Sequence, residues 1–137
     1  MQISIKKAIT ESIPVELHMN VHQVSGYDPS PEAVLLASSR DWLLARSLGD
    51  GLDPDGYWAV SRGHVRCLQT NKPQAYRKKV LEIEKAWHRA LEYPTIDLTS
   101  AATILSHIHQ EQGFAVVLRE TAESWHSIHC RIDKVTV

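Results

Sequence analysis

The sequence predicts an α+β protein in which about three helices pack on an antiparallel sheet. Two observations carry this prediction. Residues 15–24 alternate apolar and polar side chains as a half-buried strand does, whereas residues 73–92 place apolar side chains at helical intervals. The chain has 137 residues, of which 43% are hydrophobic and 23% charged, an ordinary composition for a globular protein. We therefore expect residues 1–137 to form a single domain.

Helices are expected at about residues 31–48, 73–92 and 98–112. The first would bury the apolar run that extends from Val34 to Leu48. The second begins at Pro73, and its buried stripe would consist of Tyr76, Val80, Ile83, Trp87 and Leu91. The third would be capped by Asp97.

Strands account for most of the remaining chain. The segment YWAVSRGHVRCLQ predicts two short strands on either side of Arg62–Gly63, because glycine permits a tight turn. FAVVLRE and WHSIHCRIDKVTV predict a hairpin around residues 121–124. The opening ISIKKAIT is compatible with a strand that pairs with residues 15–24 or with a helical turn.

The charges are segregated along the chain. Residues 57–91 contain eight bases and two acids, hence +6, while residues 1–56 carry −4 and residues 92–137 carry −3, which together give the net charge of −1. The bases are Arg62, Arg66, Lys72, Arg77, Lys78, Lys79, Lys85 and Arg89. A field of this kind favours an acidic partner: nucleic acid, an acidic protein surface, or a second copy of the chain.

Metal-binding patterns are weak, although the chain has eight histidines. His18 and His22 would lie about 13 Å apart on a strand, too far for one ion. The acidic residues 50–55 precede Gly56 but lack the bidentate glutamate of a calcium-binding loop, so they predict a solvated turn. We expect no metal and no cofactor.

The expected location is the cytoplasm. Cys67 and Cys130 are too few and too far apart for a disulfide framework, which predicts a reduced pair. The sequence has no apolar run of the length of a membrane span, and its first residues lack the apolar region of a signal peptide. We therefore expect no membrane partner.

The sequence favours a protein that is not an enzyme, because it lacks a nucleophile elbow, a Walker loop and a dinucleotide-binding glycine motif. One catalytic alternative is metal-free phosphodiester cleavage by His129 and Arg131 on the last strand, with a second histidine that the sequence does not identify.

The leading functional prediction is a small cytoplasmic binding protein of accessory or regulatory type, which contacts an acidic protein partner or another copy of itself through the basic segment. The runner-up is a nucleic-acid-binding protein that uses the same bases on phosphates. A winged-helix mode is disfavoured because the third predicted helix has no Lys or Arg to enter the major groove. The plainest alternative is a solvated helix face with Lys78–Glu82 and Glu82–Lys85 ion pairs.

Overall fold

The computed structural model describes residues 1–19, 31–48, 56–111, 113–120 and 125–136, and it has the predicted α+β architecture. Eight strands and four α-helices are found in these residues. They are, in chain order, β1 (Gln2–Ile3), α1 (Ile5–Thr10), β2 (Val15–Met19), β3 (Glu32–Ser38), β4 (Trp42–Ser47), β5 (Tyr57–Ser61), β6 (Val65–Gln69), α2 (Lys72–Ile83), α3 (Trp87–Ala90), α4 (Ala101–Gln110), β7 (Phe114–Glu120) and β8 (Trp125–Arg131).

Six of the strands form one antiparallel sheet in the order β1-β6-β2-β3-β4-β5, and β7 and β8 pair with each other. β5 and β6 are joined only by the 3-10 helix Arg62–His64, although three strands lie between them in the sheet. In a flat sheet they would be about 19 Å apart. The chain from Ser61 to Val65 spans at most about 14 Å. The sheet therefore curls towards a barrel, with α1 on its inner side.

The strands β3 and β4 are buried on both faces, which positions the helices. Alternate residues such as Leu17 and Leu35 pack with Ala8 of α1 on the inner side. Val34, on the outer side, packs with α2 and α3 through a cluster that includes Leu81. The outer side also carries α4, whose Ile104 packs against Leu44 of β4.

The prediction of a helix over residues 31–48 is wrong, because this segment forms the hairpin of β3 and β4. Strands that are buried on both faces lack polar alternation, so their continuous apolar runs resemble a buried helix. The turn begins at Ser39, whose Oγ accepts a hydrogen bond from the Trp42 N–H at 3.1 Å. Residues 38–41 are all polar, and this short polar stretch is the feature of the sequence that indicates a turn.

The helix predicted over residues 73–92 is divided into α2 and α3. Lys85 adopts a positive φ of 56°. The Ala86 N–H donates to the Leu81 carbonyl at 2.8 Å, and the Lys85 N–H donates to the Glu82 carbonyl at 3.1 Å. These two bonds form a Schellman motif that ends α2 at a lysine in the position where glycine is preferred.

The other elements agree with prediction more closely. β2 confirms the first five positions of the strand predicted at 15–24, and the rest of that strand lies outside the described residues. β5 and β6 are strands as predicted but do not pair with each other. The β7–β8 hairpin is confirmed, although its turn at residues 121–124 is not among the described residues. α4 is confirmed with Ser100 as its cap rather than Asp97.

Cys67 and Cys130 are both free thiols. Of the helices that the structure describes, none has the length and apolar character needed to cross a membrane.

Candidate binding surface

The solvent-facing side of α2 has an unusual composition. Tyr76 is 70% exposed and Ile83 is 76% exposed, so the buried stripe predicted from their spacing is wrong. Residues 72, 76, 79 and 83 follow one another at helical intervals and therefore share one side of the helix. We call this set of four residues the outward face of α2: Lys72, Tyr76, Lys79 and Ile83.

The opposite side of α2 is anchored by a polar side chain. Gln74 is fully buried, and its Nε2 donates to Glu16 Oε1 at 3.2 Å and to Glu32 Oε1 at 3.3 Å. Its Oε1 accepts a hydrogen bond from the Asn71 N–H at 2.9 Å, which completes a capping box at the start of α2. Glu16 and Glu32 are direct cross-strand partners on β2 and β3. One amide group therefore bridges two carboxylates and fixes the rotation of α2 about its axis.

Two nitrogen-bearing side chains flank this carboxylate pair. Arg77 Nη1 lies 3.8 Å from Glu32 Oε2, and its Nη2 donates to the Leu48 carbonyl at 2.7 Å. His18 Nε2 lies 3.0 Å from Glu16 Oε2. The carboxylates also lie at the N-terminus of α2, where the helix dipole favours negative charge. Because both amide N–H groups and the amide carbonyl of Gln74 are engaged within the protein, this cluster serves as a structural anchor.

Several of the eight predicted binding bases make contacts within the protein. Arg62, like Arg77, donates a hydrogen bond to a backbone carbonyl: its Nη1 lies 2.8 Å from the Ser39 oxygen. Lys78 Nζ lies 5.0 Å from the centre of the Trp87 ring, a cation–π contact. The ion pairs Lys78–Glu82 and Glu82–Lys85 that the spacing suggested are not found among the described residues. The remaining bases are exposed, and they are Arg66, Lys72, Lys79, Lys85 and Arg89.

The histidines are dispersed among the described elements. No group of three metal-ligating side chains converges within the residues that the structure describes. His22 and the acidic loop at residues 50–55 lie outside those residues, as do the side chains of His126 and His129. Of the two histidines that the sequence places on this strand, the structure describes His18, whose Nε2 contacts Glu16.

A hollow of about 320 Å³ lies between α4 and the residues at the end of β8, and His109, Arg131 and Asp133 line it. His109 Nδ1 lies 2.8 Å from the Ile132 carbonyl oxygen. A carbonyl only accepts hydrogen bonds, so Nδ1 carries the proton and Nε2 of the neutral ring is left as a base. Sequence reasoning named His129 with Arg131 and missed His109, because the helix and the last strand are far apart in sequence.

A second aromatic side chain is held at the sheet edge. The Arg46 guanidinium lies 4.4 Å from the centre of the Tyr57 ring, and the Tyr57 hydroxyl donates to the Glu92 carbonyl at 3.2 Å. Tyr57 therefore has a structural role in linking β5 to the segment after α3. By contrast, none of the polar contacts described above involves Tyr76.

Comparison with protein families, with curated proteins and with solved structures found no significant match. The geometry of the chain is therefore the basis for the functional proposals that follow.

Proposed function

We propose that this chain is a small cytoplasmic binding protein of accessory or regulatory type, whose outward face of α2 docks on an acidic protein partner. The observation that carries the proposal is the exposure of Tyr76 and Ile83, at 70% and 76%, on a helix that is anchored from its other side. Large apolar side chains at helical spacing are the anchors by which a helix enters a partner's groove.

The lysines of this face define the charge of the partner. Lys72 and Lys79 form no ion pair with any part of the chain that the structure describes, so their charges remain available. Each lies about one helical turn from Tyr76, and the whole face extends about 16 Å along α2. The complementary surface is an apolar groove bordered by carboxylates, and such border charges govern association rate and partner choice.

Site-specific photo-cross-linking tests this docking mode. A photoreactive phenylalanine at position 79 should give one discrete protein adduct in the cells that make this chain, and Ile83→Glu should abolish the adduct. The matched control is the same photoreactive residue at position 7, on α1, where we expect no adduct. Identical adducts from both positions, or none from position 79, would contradict the proposal.

A second copy of the chain is the partner that can be tested without other proteins. Light scattering after size-exclusion chromatography, at low and high salt, measures the oligomeric state. A dimer that dissociates in the Ile83→Glu variant would identify the partner as another copy, whereas a salt-independent monomer would exclude self-association.

Nucleic-acid binding is the second candidate, because an exposed tyrosine ring between two lysines can stack on a base while the lysines contact phosphates. Arg77 and Lys78 are engaged within the protein, so fewer phosphate contacts are available than the sequence implied. Two or three contacts give a log–log salt slope of about −1.4 to −2 on single strands. Fluorescence anisotropy measures the affinity for a labelled single strand, and we expect Tyr76→Ala to lower that affinity. An absence of binding by the unmodified chain at low salt would exclude this candidate.

Phosphodiester cleavage is the third candidate, and the fixed tautomer of His109 beside Arg131 is the observation that favours it. The base would be His109 Nε2, and the Arg131 guanidinium would hold the phosphate. Hydrolysis of bis(p-nitrophenyl) phosphate should be lost in His109→Gln. No hydrolysis by the unmodified chain would exclude it.

A further inference from the structure

A cavity of about 310 Å³ opens between α1 and the sheet, and it is lined by Ile5, Lys6, Ile9, Thr10, Ser38 and Arg62. We propose that this cavity binds a small organic phosphate monoester, with the phosphate at Lys6 and Arg62 and its organic group on the two isoleucines. The cavity opens to solvent, and its volume lies near the lower end of the range of small-molecule sites.

The cavity is chemically suited to a dianion. Two cationic side chains and two hydroxyl side chains line it, and none of its six lining residues is acidic. A phosphate monoester carries close to two negative charges at neutral pH and presents three acceptor oxygens, whereas a carboxylate carries one charge and two oxygens. The lining therefore matches a phosphate monoester better than a carboxylic acid.

Arg62 is held in place for this role. Its Nη1 donates to the Ser39 carbonyl at 2.8 Å, and its backbone N–H donates to the Asp41 carbonyl at 2.9 Å. The contact orients the planar guanidinium while its other N–H groups remain to meet a ligand. Lys6 has no ion pair among the described residues, unlike its neighbour Lys7, whose Nζ lies 3.9 Å from Glu11 Oε2.

The apolar part of the cavity is backed by the core. Ile5 and Ile9 are half-buried and pack on the cluster that contains Ala8 and Val15, so their positions are fixed by the fold. The end of α1 is also fixed, because the Ile13 N–H donates to the Ala8 carbonyl at 3.1 Å. An aromatic or aliphatic group that contacts these isoleucines would leave water, which favours an organic phosphate over inorganic phosphate.

This site is independent of the proposed docking function. α1 packs on the inner side of the curled sheet with Leu17 and Leu35, whereas α2 packs on the outer side with Val34. A variant of the cavity therefore leaves the outward face of α2 intact, and the two proposals succeed or fail separately.

Titration of the full chain with phenyl phosphate, followed by calorimetry and by amide chemical shifts of residues 5–10 and 62, tests the proposal. We expect saturable binding, with inorganic phosphate weaker by about tenfold and benzyl alcohol not bound. Lys6→Ala should weaken phenyl phosphate binding by about fivefold, because one charge-assisted contact is lost. Lys7→Ala, which removes the same charge one residue away, should change binding less than twofold.

Each remaining outcome overturns the proposal. The proposal fails if the binding of phenyl phosphate does not saturate at millimolar concentrations. It also fails if Lys6→Ala and Lys7→Ala weaken binding equally, because equal effects would indicate attraction by net charge alone. Vesicles that contain phosphatidate test a lipid as the source of the same phosphate group. Binding to those vesicles without binding of phenyl phosphate would exclude a soluble ligand. Thermal unfolding of both variants confirms that they remain folded.

Discussion

The inward face of α2 presents Gln74 to the sheet, whereas its outward face presents Tyr76 and Ile83 to solvent. Burial of apolar side chains alone would rotate the helix so that the tyrosine and isoleucine faced the core. The amide bridge to Glu16 and Glu32 opposes that rotation, since a carboxylate pair without a donor would be costly to keep at the sheet. Hydrogen bonds to two strand carboxylates therefore set the orientation of this helix and leave two large apolar side chains exposed to solvent.

Substitution of Leu81, on the inward face of α2, should have the largest effect on the free energy of unfolding. It is 1% exposed and packs with Val34 and Ala86. Leu81→Ala should lower the free energy of unfolding by about 2–5 kcal/mol because it leaves a cavity under α2. Leu81→Met keeps the volume and should cost less than about 1.5 kcal/mol. Urea unfolding measures both, and equal effects would show that Leu81 is not in a packed core.

The amide bridge of Gln74 should contribute somewhat less. Gln74→Ala removes two hydrogen bonds to carboxylates together with the capping bond to Asn71, so we expect a loss of about 2–3 kcal/mol in the free energy of unfolding. The matched control is Gln69→Ala on β6, whose side chain makes a single hydrogen bond within the described residues, from Nε2 to Cys67 Sγ at 3.9 Å. We expect the control to cost less than about 1 kcal/mol. A Gln74→Ala variant as stable as the control would contradict the anchoring role.

A substitution at the end of α2 should change the free energy of unfolding by a smaller amount, and should raise it. Lys85 has a positive φ of 56°, a conformation that glycine adopts without steric cost. Lys85→Gly should therefore raise the free energy of unfolding by about 1 kcal/mol. Lys79→Gly, in the middle of the same helix, should lower it by about 1 kcal/mol. Thermal unfolding distinguishes the two signs, and destabilisation by both substitutions would show that Lys85 is not in the left-handed position.

The smallest predicted effect on stability comes from Asp97, and it arises from a shift in the pKa of its carboxyl group. Hydrogen bonds from the Thr99 hydroxyl and the Thr99 backbone N–H lower the pKa of Asp97 below its usual value of 3.8. A lowered folded-state pKa stabilises the fold above the unfolded value, and this contribution is lost as the pH falls through the folded value. Carboxyl NMR titration should place the midpoint below 3.8 and move it upwards in Thr99→Val. A midpoint at or above 3.8 in the unsubstituted chain would contradict this hydrogen bonding.

Helices and strands were predicted correctly from the sequence where one face of the element is polar. β2 and α4 have such faces, and their periodicity identified them correctly. β3 and β4 are buried on both sides, so Val34, Leu35 and Leu36 gave a continuous apolar run that resembles a helix. The orientation of α2 was hidden for a different reason: it depends on contacts of Gln74 with residues more than 40 positions away. No local pattern records such contacts.

The basic segment illustrates the same limit for the candidate site. Its net charge can be counted from the sequence, but only the fold shows that Arg77 and Lys78 are engaged within the protein while Lys72 and Lys79 form no ion pairs with the described residues. The cavity beside α1 could not be predicted from the sequence either, because Lys6 and Arg62, which both line it, are far apart in the chain.

Urea unfolding of the double variant Tyr76→Ala/Ile83→Ala tests directly whether Gln74 turns the apolar side chains of α2 to solvent. If both side chains lie on an outward face, their removal should change the free energy of unfolding by less than about 1 kcal/mol. If they instead belong to a buried stripe, the double variant should lose more than about 4 kcal/mol. A small change supports the orientation of α2 and the availability of its outward face, and a large loss would contradict both.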